Sequence, residues 1–327
     1  MKRVLLDSYG NPPQGLRCAE VPDLPEPLGD QVLFDVRFFP INPADINFCQ
    51  GTYRLRPDLP ATPGAECVGF VRAVGPSVTR FAPGDRVINL QRENWAQARL
   101  VREADLVPVP AGIDDEQAAM LRINPPTASL LLSDVVTLAP GDWIVQNVAN
   151  SSVGRWIVRL ARRRGLRTVN VVRRESLRPM LEALGADACV VDGPNLGARV
   201  RAAAGGVAPA LGIDAIGGAA SIRIADAIRD GGTLACYGAM SGEPPALTYA
   251  NLLFRDVAVR GFVLGNFLAR RSTAAVAALY GELASMLVDG DLRVPVEWIY
   301  PIDEITAAVG HAMRGERSGK ILVAANG

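Results

Sequence analysis

Between residues 143 and about 265, short and wholly apolar segments alternate with helix-like stretches. WIVQNV leads into VGRWIVRLARRRG, RTVNVV into ESLRPMLEALG, and ACVV follows; LGIDAIG, SIRIADAIRDGG, TLACYG and VAVRGFVLG complete the series. Strands that are apolar on both sides need cover on both sides, and a helix between successive strands supplies it. The pattern predicts an α/β fold with a doubly wound parallel sheet. The flanks have a different texture. Up to roughly residue 120 the chain reads as short β segments (QVLFDVRFF, ECVGFVRAVG, DRVINL, ARLVREADLVPVP) cut by turns such as PGAE, VGPSV and APGDRV, the pattern of a barrel or sandwich. DDEQAAMLRI then opens with two acids, as a helix start does. The segment after about 270 is too short to fold alone and is expected to return and complete the first domain. At 327 residues, two domains are the natural expectation. They are placed at 1–123 with 268–327, and at 124–267.

Composition removes several classes of function. Acidic and basic residues balance at 34 each, without the basic excess of a nucleic-acid binder. No apolar run is long enough to span a bilayer. The opening MKRVLLDSYGNPPQ breaks into Gly and Pro before a signal-peptide core can form, so a cytoplasmic protein is expected. Five scattered cysteines, Cys18, Cys49, Cys67, Cys189 and Cys236, fit reduced thiols better than a disulfide framework. One histidine, His311, and no CxxC pair leave no recognised spacing for a zinc site, and no metal is expected. His311, in AAVGHAMRG, has no carboxylate or nucleophile beside it in sequence and reads as a plain helix-face histidine. Lysine occurs only at Lys2 and Lys320, and no tyrosine stands four residues before either, so a YxxxK catalytic pair cannot form.

QNVANSSVGR, residues 146–155, has the place of a phosphate-binding turn but only one glycine. A dinucleotide loop needs a tight turn, close backbone approach to pyrophosphate and close helix-to-strand packing. Here Ala149-x-Ser151-x-x-Gly154 stands in for G-x-G-x-x-G. Small residues still permit the approach, the helix N-terminus still offers N–H groups, and Ser151 and Ser152 add hydroxyl donors. Taken alone, an ordinary βα corner explains the loop as well. About twenty residues on, VNVVRRE puts Arg173 and Arg174 where NAD-binding units carry an acid for the ribose hydroxyl. Arginine suits a 2′-phosphate instead, although two solvated arginines are the bland alternative. Loop and arginines together, at this separation in a βα series, point to NADPH. The candidate contacts are Asn150, Ser151, Ser152, Val153, Gly154, Arg173 and Arg174.

The whole arrangement resembles the medium-chain dehydrogenase/reductase superfamily, and within it the zinc-free 2-enoyl thioester reductases and their quinone oxidoreductase-like relatives. The resemblance rests on INPADINFCQGTYR (41–54), INPPTA (123–128), QNVANSSVG (146–154), RTVNVVR (167–173) and the CYGAM…LLFRDVAVRGF run (236–262). It implies a β-rich, GroES-like catalytic domain with an inserted Rossmann-type sheet, and a role in fatty-acid metabolism. PGAEC has Ala65 where zinc-dependent members carry a histidine ligand. The QGxY shared by enoyl reductases is Gln50, Gly51, Thr52 and Tyr53. By this resemblance Tyr53 is the proton or hydrogen-bond donor, a phenol that stays protonated at neutral pH; read from sequence alone it is a loop aromatic. Asn42 is implied beside the active site. Thr127, Tyr237, Gly238, Met240 and Phe262 are implied to border the cofactor, and Lys320 to reach its phosphate.

The implied activity is NADPH-dependent reduction of the C=C bond of a trans-2-enoyl thioester, on coenzyme A or acyl carrier protein. The alternatives are a quinone or enone reductase of the same superfamily and a catalytically silent NADPH-binding protein. Arg122, before the NP turn, and the shortened stretch LQRENWAQARL around Trp95 depart from the relatives, near the expected substrate cleft. VAVRGFVLG is a candidate edge strand for a homodimer whose sheet runs across a twofold axis.

Overall fold

The computed structural model describes residues 1–326, and the chain divides into two compact units, 1–123 with 273–327 and 124–272. In the first, β1 (Lys2–Leu6) pairs antiparallel with β2 (Leu16–Glu20). The long strand β3 (Gln31–Pro40) is the spine, flanked antiparallel by β4 (Val68–Val74) and, further on in the chain, by β6 (Ala98–Arg102). β5 (Arg86–Asn89) and β7 (Leu106–Pro108) extend the sheet beyond β4. Val32, Phe34, Val36 and Phe39 of β3 are buried, and the Phe39 ring stacks on Trp95 at 5.7 Å. Trp95 is therefore a core residue, fully enclosed, and does not line a cleft with its ring.

The helix expected from DDEQAAMLRI is one turn, Asp115–Ala118. A new helix, Asn124–Ser133, starts at the NPPTA motif. Two successive prolines lack N–H donors and are tolerated only in a first turn, so Pro125 and Pro126 fix where this helix begins.

The second unit carries β8 (Trp143–Gln146), β9 (Arg167–Val172), β10 (Ala188–Val191), β11 (Leu211–Asp214), β12 (Thr233–Cys236) and β13 (Ala258–Gly261). All neighbours are parallel, in the order β10-β9-β8-β11-β12-β13. The chain enters in the middle, winds out through β9 and β10, then crosses to β11. That reversal between β8 and β11 is the switch point where such sheets bind ligands. The helix Ser152–Arg163 buries Val153, Trp156, Ile157, Val158, Leu160 and Ala161. It ends on Arg162 and Arg163, which suit the negative end of the helix dipole.

The C-terminal segment returns to the first unit as β14 (Val296–Pro301) and β15 (Lys320–Ala324). β15 pairs antiparallel with β3, Val323 opposite Phe39, so the β-rich sheet is completed only by the end of the chain. His311 departs from its expected isolation: Nε2 lies 3.0 Å from Glu297 Oε1 and Nδ1 3.1 Å from the Tyr300 hydroxyl. The sheet supplies the carboxylate that the neighbouring sequence lacks.

Candidate active site

The loop after β8 is held by contacts that substitute for glycine. Asn147, buried, donates from Nδ2 to Asp214 Oδ1 at 2.5 Å and accepts the Ala215 N–H at 2.9 Å. This ties the ends of β8 and β11 together at the switch point. Ser151 caps the helix, its hydroxyl accepting the Gly154 N–H at 3.1 Å. At Gly154 a Cβ would stand 2.4 Å from the Ala149 carbonyl oxygen, so the one retained glycine sits where close packing leaves no room for a side chain. The Ser152 hydroxyl is buried without a hydrogen-bond partner among the described residues. An orphan hydroxyl in the first turn of a long helix suits an anion, and the loop fits a dinucleotide phosphate.

The other nominated residues of this unit spread around that loop. Arg173 and Arg174 follow β9 directly and are exposed. Tyr237, after β12, lies beside Ser151, and burial pushes its phenol pKa upward. Gly238 packs against Ala215, where a Cβ would lie 2.6 Å from the carbonyl oxygen. Thr127 is buried in the helix Asn124–Ser133. The Asn150 carbonyl accepts from Arg155 Nε at 3.1 Å. Val153 and Phe262 are core side chains, the latter stacked 4.4 Å from Phe267. Met240 is 63% exposed.

In the first unit two of the candidate residues, Asn42 and Lys320, meet in one buried polar network. Asn42 begins the helix Pro43–Gln50, and its backbone N–H donates to Asp45 Oδ2 at 3.0 Å. Its side chain donates from Nδ2 to Glu66 Oε1 at 2.7 Å and accepts at Oδ1 from the Lys320 ammonium. Glu66 also accepts the Ile123 N–H at 2.9 Å. Burial raises the Glu66 pKa to about 7, against the opposing pull of Lys320, Asn42 and Arg122. Burial likewise raises Asp45 and lowers Lys320. Among the described residues the Lys320 ammonium bonds to Asn42, which leaves two of its three donors.

Tyr53 follows by local geometry. Gly51 ends the helix in the left-handed region at φ 74, and the amides of Thr52 and Tyr53 fold back onto the Asn47 carbonyl. An added side chain at Gly51 would also crowd Tyr9 at 3.1 Å. The QG step therefore sets where the tyrosine goes. Its ring packs on the domain core, its hydroxyl bonds to none of the described residues, and the Arg92 guanidinium lies over it at 5.0 Å. Arg122 does not charge a pocket: its guanidinium donates to the carbonyls of Ala65 and Leu90.

Residues that sequence reasoning passed over thus join the nominated ones. Asp45 carried a signal, an acid three residues after a helix-starting asparagine. Glu66 carried another, a lone charge leading into the apolar CVGFV. Asn147, Asp214 and Arg92 carried none. Among the described residues no group of three His, Cys, Asp or Glu side chains could hold a metal ion.

Profiles of two families match in tandem, the alcohol dehydrogenase GroES-like domain over residues 29–111 and the zinc-binding dehydrogenase over 152–281. Relatives along nearly the whole chain decide the assignment. The mitochondrial enoyl-[acyl-carrier-protein] reductase of Caenorhabditis elegans is 35% identical over 299 residues, 89% of this chain and 86% of its own. Its Arabidopsis thaliana counterpart is 34% identical, over 95% and 84%. The chain belongs to the enoyl thioester reductases of the medium-chain dehydrogenase/reductase superfamily.

This reductase also matches a solved structure assigned as an NADPH:quinone reductase from Bacillus thuringiensis, with a TM-score of 0.93 and 26% identity over 99% of both chains. The reductase is an oxidoreductase with a GroES-like domain and a Rossmann-type sheet. One expectation is corrected by these names. The matched curated reductases are mitochondrial, which overturns the cytoplasmic location expected from the opening residues.

Proposed function

We propose that this reductase uses NADPH to reduce the C=C bond of a trans-2-enoyl thioester, with Tyr53 as the proton or hydrogen-bond donor. The observation that carries the reading is the Tyr53 hydroxyl, which bonds to none of the described residues and stands on the turn set by the QG step. When bound, the cofactor supplies a hydride. Reduction at the β-carbon puts negative charge on the thioester oxygen and calls for a proton at the α-carbon. A phenol hydroxyl can donate a hydrogen bond to that oxygen or supply that proton, without a metal. Asn42 orients the reacting group, its amide fixed by Glu66 on one side and Lys320 on the other.

Ser151, Ser152 and Gly154 would hold the pyrophosphate, and Arg173 and Arg174 the 2′-phosphate. Asn150, Val153, Thr127, Tyr237, Gly238, Met240 and Phe262 would border the cofactor, the buried ones by shaping the wall. Lys320 has donors left for a phosphate oxygen.

The second reading, a quinone or enone reductase, draws on the Bacillus thuringiensis likeness. The rate of NADPH oxidation with crotonyl-CoA, measured beside a soluble quinone, separates them. The enoyl reading expects crotonyl-CoA to be favoured by orders of magnitude in kcat/KM; a preference for the quinone overturns it.

The protein is further read as a homodimer. β13 is an edge strand, and Tyr249, Leu252, Leu253, Phe254 and Val259 are exposed on or just before it. Unpaired edges beside apolar side chains favour strand-to-strand pairing.

A further inference from the structure

Arg92 has no role in the reduction as read above, yet it faces the Tyr53 ring, the Phe48 ring and Asp45. Its guanidinium lies 5.0 Å from the Tyr53 ring centroid and 5.4 Å from that of Phe48. The same group faces Asp45 at 3.8 Å from Nη2 to Oδ1, too far for a hydrogen bond, and both of those buried atoms lack a partner among the described residues. A cation held between two rings and a carboxylate, with a donor left over, is costly as mere packing.

The loop that carries it is braced by its own side chains. Asn89 donates to Asn94 Oδ1 at 2.7 Å, Asn94 donates to the Gln91 carbonyl at 2.7 Å, and the Gln91 N–H donates to Asn89 Oδ1 at 2.9 Å. Asn89 and Asn94 are fully buried. The backbone at Arg92 is thereby fixed, and the side chain is directed at Tyr53 rather than into solvent.

We propose that Arg92 is a positioning residue for the reduction. It holds the Tyr53 ring by a cation–π contact and keeps a fixed positive charge over that ring, near where the oxygen of the substrate would turn negative. The proposal rests on Tyr53 being the donor. Arginine suits the task better than lysine, because its flat guanidinium stacks on a ring and remains charged.

The test is a double-mutant cycle in the full-length enzyme with crotonyl-CoA. Arg92→Met is expected to lower kcat about tenfold with the KM for crotonyl-CoA and the Kd for NADPH unchanged, the mark of an interaction made in the transition state. In a Tyr53→Phe background the same change should cost less than twofold, since the two residues act as a unit. Arg92→Lys should recover part of the loss, and its unfolding midpoint reports whether the fold is intact. An unchanged kcat in Arg92→Met, an equal loss in both backgrounds, or a folded Arg92→Lys no better than Arg92→Met would each overturn the proposal. Should Arg92→Met not fold, Arg92→Lys carries the same cycle, with a smaller loss in the wild-type background and none in Tyr53→Phe. A Tyr53→Phe enzyme with undiminished crotonyl-CoA reduction would instead remove the Tyr53 reading itself, and Arg92's role with it.

Discussion

Lys320 and Asn42, 278 residues apart in the chain, are joined by a hydrogen bond from the lysine ammonium to the asparagine side-chain oxygen. The bond exists because β15 returns to pair with β3, which ends just before Asn42. Lys320→Met would remove the cation that most offsets the burial of Glu66 and leave Asn42 Oδ1 without its donor. The unfolding free energy is expected to fall by about 1–3 kcal/mol. Denaturant titration near neutral pH checks it.

Glu66 sets a second expectation. Its pKa is raised to about 7 in the folded protein, above the ordinary carboxylate value near 4.5. The native state therefore binds more protons than the unfolded chain between those values. A carboxyl shifted this way adds stability at low pH and loses it as pH rises through about 7. Relative to Glu66→Gln, the wild type should lose roughly 3 kcal/mol of stability between about pH 4.5 and 7. Parallel unfolding curves at several pH values read the difference. A constant offset would mean that Glu66 does not titrate in this window.

Cofactor choice is tested at the end of β9. Replacing Arg173 and Arg174 with glutamate is expected to raise the NADPH Kd ten- to a hundredfold, on the scale of about 1.5–3 kcal/mol for charge-assisted contacts. NADH binding should change much less. Fluorescence titration with both cofactors measures it, and wild-type protein that bound both equally would contradict the assignment.

Much of the fold was legible because it follows from burial. Apolar strands of four to six residues with helices between them admit few arrangements, and β8 to β13 form the parallel sheet that they implied. The return of GKILV to the first unit followed from its being too short to fold alone. The one-turn helix at Asp115–Ala118 was less legible, since its acids announce a start but Pro125 and Pro126 impose another start soon after. The loop residues Ser151 and Gly154 could be picked by spacing. The Asn147–Asp214 bond could not, because it spans 67 positions and depends on which strands become neighbours. Arg92 was hidden in the same way: nothing in LQRENW says that the loop points an arginine at a tyrosine 39 positions earlier.

The proposed homodimer is tested at the β13 edge. Light scattering at micromolar concentration should give the mass of two chains, and Val259→Lys with Leu253→Glu should give one. A monomeric wild type would contradict the twofold reading.

The account turns on the hydroxyl of Tyr53, and Tyr53→Phe removes only that atom while keeping the ring under Arg92. NADPH Kd should be unchanged, because the proposed cofactor contacts lie mainly in the inserted unit. The kcat for crotonyl-CoA should fall by roughly 10²–10³, the cost of losing one preorganised donor at a developing oxyanion. Any quinone reduction should fall far less. Losses within a few-fold on both substrates would contradict the role given to Tyr53, and with it the enoyl thioester mechanism.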